Sequence, residues 1–170
     1  MGREVRMVPA NWQHPKDSKG NYVPLFDNFN KAVETWDIEN QKWEEGFVTN
    51  YRGGWEVKPE RYDYDYSEYA GDRPKQEDYM PDFPIAERTH YMMYEDTSEG
   101  TPLSPACETP EILASWLANN NASAFGSDTA SYDQWLAMIK SKWSVGAVFT
   151  PETGLISGVE ATTLLRKEKS

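Results

Sequence analysis

The chain is poor in the residues that build covalent and metal frameworks. Its 170 residues include one cysteine, Cys107, and two histidines, His14 and His90. A single thiol excludes an internal disulfide and fits a reducing compartment. The histidines lie 76 residues apart, and no His-x-x-x-His, Cys-x-x-Cys or acidic calcium loop accompanies them. No apolar run nears the ~18 residues needed to span a bilayer. The start, with Arg3, Glu4, Arg6 and Pro9, lacks the apolar stretch of a signal peptide. Basic residues are also scarce, 17 Lys and Arg against 28 Asp and Glu, a net charge of −11. That balance argues against direct binding to nucleic acid or to anionic membranes. The expectation is a soluble, cytoplasmic protein, and no residue set implies a cofactor, a metal site or a catalytic centre.

Aromatic residues are plentiful, with seven Trp, ten Tyr and six Phe. They make a packed core credible despite a hydrophobic content of 38%. A chain of this length is expected to form a single domain over 1–170. The negative charge is confined to the middle. Residues 27–99 hold 19 carboxylates and 8 Lys or Arg, and the other 97 residues hold nine of each sign.

The first 26 residues read as extended. Phe29, Val33, Trp36, Trp43 and Phe47 recur at helical steps behind a cap at Asp27 or Asn28, and Gly46 closes the stripe. A helix of about 18 residues would run ~27 Å. Residues 50–85, punctuated by Gly53-Gly54, Pro59, Pro74, Pro81 and Pro84, read as an irregular acidic, Tyr-rich segment. Within it the alternation of Tyr62, Tyr64 and Tyr66 with Asp63, Asp65 and Ser67 fits a strand. Thr89–Glu95 reads as another strand. Thr109-Pro110-Glu111 starts a helix to about Asn119, and a further helix begins near Thr129 or Ser131. Val145–Phe149 and Leu155–Val159 flank a turn, and 166–170 reads as a frayed tail. The expected fold is α+β, about three helices with one small, mainly antiparallel sheet and an irregular acidic centre.

Two stretches carry a resemblance. The opening Arg3-Glu4-Val5-Arg6-Met7-Val8-Pro9 and the segment Tyr94-Glu95-Asp96-Thr97-Ser98-Glu99-Gly100-Thr101-Pro102-Leu103-Ser104-Pro105 resemble a family of small, uncharacterised tailed-bacteriophage proteins. The resemblance implies a phage origin and action in the cytoplasm of an infected bacterium. It carries no activity, and the paired cysteines of some relatives have no counterpart beside Cys107.

Three readings of function remain open. In the first, Asp63, Asp65, Glu68, Asp72, Glu77 and Asp78 imitate nucleic-acid phosphates, with Tyr62, Tyr64 and Tyr66 as packing anchors against the arginines of a basic, nucleic-acid-binding host factor, such as a defence effector. Its bland counterpart is a solvated surface. The second is a nucleotide or metabolite site, binding or catalytic, around His90, Ser98, Thr101 and Ser104, where a Pro-ordered turn is the plain alternative. Cys107 beside His90 could form a dyad, although an inert buried thiol explains the same residues. The third is a scaffold or assembly protein. Binding is favoured over catalysis, and the sequence sets no oligomeric state.

Overall fold

The computed structural model describes residues 2–95, 100–144, 147–150 and 154–167. In chain order the elements are β1 (Arg3–Val8), α1 (Phe29–Glu44), β2 (Phe47–Thr49), β3 (Trp55–Val57), α2 (Tyr66–Ala70), β4 (His90–Glu95) and α3 (Pro110–Asn119). There follow β5 (Ser123–Phe125), β6 (Asp128–Thr129), α4 (Tyr132–Ser141), β7 (Trp143–Ser144), β8 (Ala147–Thr150), β9 (Gly154–Ser157) and α5 (Gly158–Lys167). They fall into two compact units, one of Met1–Leu25 with Asp82–Ser170 and one of Phe26–Pro81.

The expected fold of about three helices and one small sheet is overturned. Among the described residues there are five α-helices and four separate antiparallel sheets, one of three strands and three of two. The physical reason is that most strands are two to four residues long and pair only with their sequence neighbour as hairpins. Among the described strands, β1 is the one that pairs with two others distant in sequence, in the order β4-β1-β7. The strand expected at Tyr62–Tyr66 is absent, and Tyr66 instead opens α2. Leu155–Val159 divides between β9 and α5. Residues 168–170 of the expected tail lie outside the described residues.

In the larger unit, β1 and β4 pair in register from Arg3↔Glu95 to Val8↔His90. The α3 and α4 helices bury Leu113, Leu117, Trp135 and Met138 together with Met93 and Val159. Each fully buried side chain of this size contributes roughly 1.5–3 kcal/mol. Both helices start where their sequence dictates. The Thr109 hydroxyl accepts the Ile112 N–H, and Ser131 and Gln134 form a reciprocal capping box. Arg3 is buried, yet all three guanidinium nitrogens have partners. Nε donates to the Ser123 carbonyl at 2.9 Å and Nη2 to its hydroxyl at 3.0 Å. Nη1 donates to the Gly2 carbonyl and pairs with Glu95 at 3.2 Å. Burial lowers the Arg3 pKa and the Glu95 charge opposes that shift.

Candidate interaction surface

The Phe26–Pro81 unit concentrates two chemistries. It holds 14 carboxylates against seven Lys and Arg, a net −7, and 12 of the chain's 23 aromatic residues. A small unit with so many ionised groups needs large apolar side chains to form any core, and here the rings supply it. Trp43, on the inner face of α1, is 3% exposed. Tyr69 lies over its ring at 4.7 Å and Tyr62 stacks at 5.7 Å with planes 10° apart. The Lys58 ammonium sits 4.5 Å from the same ring. Trp43 Nε1 donates to the Tyr64 carbonyl at 2.8 Å, which fastens the 62–65 segment to α1.

About two turns earlier, Trp36 meets the Tyr66 ring edge-on at 5.3 Å and donates Nε1–H to the Gly71 carbonyl at 3.1 Å. The Tyr66 hydroxyl donates to the Glu39 carboxylate. Burial, reinforced by that carboxylate, pushes the phenol well above its ordinary range. Arg73 grips Asp37 with two hydrogen bonds, 2.7 and 2.8 Å. The guanidinium holds the Asp37 carboxyl below the usual range.

The tyrosines expected to face a partner thus have an internal use. Tyr62 and Tyr66 pack on Trp43, and Tyr64 and Tyr69 keep part of each ring at the surface. The carboxylates divide differently. Asp63, Asp65, Glu68, Asp72, Glu77 and Asp78 are exposed, and their side chains make no ion pair or hydrogen bond among the described residues. Asp65 precedes α2, and Glu77 and Asp78 lie on a single 3₁₀ turn.

No family model, curated protein or solved structure matches the chain.

A second exposed feature of this unit is the β2–β3 hairpin. Phe47 stands opposite Val57 and Thr49 opposite Trp55, so these four side chains share one face. Val48, on the other face, is buried with Trp43 and Tyr66. The outer face is therefore apolar and open to solvent, with Val57 77% exposed, and Tyr51 at the turn is 90% exposed. Asn50 builds the turn by accepting N–H bonds from Arg52 and Gly54, both at 3.0 Å. The helical spacing from Phe29 takes in Phe47, which instead opens β2, and the turn expected at Gly53-Gly54 joins β2 to β3. The strand pairs on either side of Gly53-Gly54 were the available signal.

In the other candidate set, no hydrogen bond joins any two of the described members His90, Thr101 and Ser104. His90 Nδ1 lies 2.9 Å from the Thr89 hydroxyl. Ser104 is buried, accepting the Met93 N–H and donating to the Pro105 carbonyl, both at 2.9 Å. Thr101 contributes its carbonyl to the Glu95 N–H at 2.9 Å, and Ser98 lies outside the described residues. The Cys107 thiol is buried 3.6 Å from the Pro105 carbonyl, and burial pushes its pKa up, away from a reactive thiolate. The cavity that Ser104 lines has His14 rather than His90 in its wall.

Proposed function

We propose that residues 26–81 form an interaction module for a basic protein partner. The observation that carries this reading is an exposed apolar hairpin face, with Trp55, Phe47 and Val57, in the same unit as six unpaired carboxylates. Stable interfaces combine a few desolvated aromatic anchors with a polar rim. Trp55 and Tyr51 are the anchors, and the carboxylates select a basic target and speed its approach. The partner class is a nucleic-acid-binding protein of an infected bacterial host, whose phosphate-binding surface would accept carboxylates in place of phosphates. In this reading the imitation rests on the carboxylates, because most of the tyrosine ring area supports the module itself.

The test is capture from bacterial lysate at low and high salt, with competition by duplex DNA. The wild-type chain should retain a basic nucleic-acid-binding protein at low salt and lose it to salt or to DNA. Asp63→Lys with Asp65→Lys should abolish that retention. Retention unchanged by the reversals and by DNA would overturn the reading.

A further inference from the structure

The larger unit contains an open cavity of about 460 Å³, within the range of small-molecule sites. Three aromatic rings stand around it, Trp12 and Tyr22 from the segment after β1 and Trp116 from α3. His14 and Ser104 are its buried polar members. Both already have their hydrogen bonds. His14 Nε2 donates to the Val23 carbonyl at 2.6 Å, and Nδ1 lies 3.1 Å from the Tyr94 hydroxyl. That hydroxyl also accepts Trp12 Nε1–H at 3.2 Å. Ser104 is held by Met93 and Pro105. These two buried side chains therefore offer a ligand no unsatisfied donor or acceptor, and a polar group pressed against them would lose its hydration without return.

Two of the rings are held by aromatic neighbours, and Trp116 packs against the buried core. His14 meets Tyr22 edge-on at 5.6 Å, and Trp12 packs edge-on against Phe83 at 4.9 Å. Fixed rings offer flat apolar area at small entropic cost. Lys16 is the only charged side chain among the described lining residues, with its ammonium 4.6 Å from the Tyr22 centroid at the cavity wall. In a chain of net charge −11 this is a cation-lined cleft. We propose that the cavity binds a small planar aromatic ligand carrying one anionic group, its ring against Trp12, Tyr22 and Trp116 and its anion on Lys16.

Two chemical sources could supply such a ligand, an aromatic carboxylate or a nucleoside phosphate, and the probes separate them. Indole-3-acetate and adenosine monophosphate are titrated into the full chain by calorimetry. Adenosine and inorganic phosphate serve as ring-only and anion-only controls. Indole N–H signals are followed by NMR. At least one ring-anion probe should bind, shifting the Trp12 and Trp116 signals, with both controls at least tenfold weaker. Lys16→Gln, an exposed change that spares the core, should weaken binding about tenfold, the equivalent of one charge-assisted hydrogen bond. Absence of binding by both ring-anion probes would overturn the proposal. So would unchanged affinity in Lys16→Gln, or shifts confined to other tryptophans.

Discussion

Gly100 shows how much one position can depend on having no side chain. Its φ is +53°, and a Cβ there would lie 2.4 Å from the Leu25 carbonyl oxygen, a backbone atom that cannot swing aside. The contact is fixed by the Leu25 N–H, which donates to the Gly100 carbonyl at 3.1 Å. Gly100→Ala should lower stability by about 1–3 kcal/mol from the left-handed backbone alone, and the clash adds to that. Urea unfolding measures it, and a variant as stable as wild type would show that the two segments part easily. His14 gives a second prediction. Burial lowers its pKa, the hydrogen bond to Val23 opposes the shift, and the Arg6 charge adds to the lowering. An unfolded imidazole takes up its proton below about pH 6.5, while the folded one stays neutral further down. The unfolded state then binds more protons, so stability falls as the pH drops through about 6.5 and levels off below the folded value. Carboxylates such as Asp17, lowered by its Asn21 hydrogen bonds, lose their contribution in a separate window below about pH 4. His14→Gln can keep both hydrogen bonds, so its melting temperature should fall less between about pH 7 and about pH 5. An identical fall would place the proton elsewhere. None of this could be read from sequence, because the partner of His14 Nδ1 is Tyr94, 80 residues away.

Elements with a local start signal were legible. The helix expected after Thr109 runs Pro110–Asn119, and one of the two starts offered for the next helix, Ser131, is its cap. A cap is decided within four residues, so distant packing has little say in where the helix begins. Ser131→Ala should remove about 1 kcal/mol by leaving the Gln134 N–H without its acceptor. Equal stability in thermal unfolding would mean that packing of Trp135 and Met138 alone sets the helix start. The same signal is present at α5. Ser157 and Glu160 have the capping-box spacing, and the Ser157 hydroxyl accepts the Glu160 N–H at 3.1 Å. The apolar pair Leu155-Ile156 pointed to a strand that stops at Ser157. At α2 the alternation of rings and acids outweighed Asp65-x-x-Glu68. Period-2 alternation argues a strand only when a partner strand exists, and these rings converge on Trp43 instead.

Across the whole molecule, charge and core are unevenly divided. The unit 26–81 carries −7 in 56 residues, and its buried cluster centres on Trp43, Val48 and Tyr66. The other unit carries −4 in 114 residues around a larger buried cluster. The charge block was visible in the sequence, but the division at Phe26 and Pro81 was not, since it depends on which segments pack together. A small core loaded with like charge opens more readily than a large, near-neutral one. Amide exchange should therefore be faster over α1 and β2 than over α3 and α4. Salt should narrow that gap, because the Debye length falls from ~10 Å at 0.1 M to ~3 Å at 1 M and repulsion among exposed carboxylates falls with it. Screening also weakens the exposed Asp37–Arg73 pair, a loss of under about 1 kcal/mol for a surface pair. If the repulsion dominates, protection near Trp43 rises with salt while protection near Leu113 and Met138 stays level. A fall near Trp43 would instead make the Asp37–Arg73 pair the larger influence and the exposed carboxylates nearly neutral towards folding.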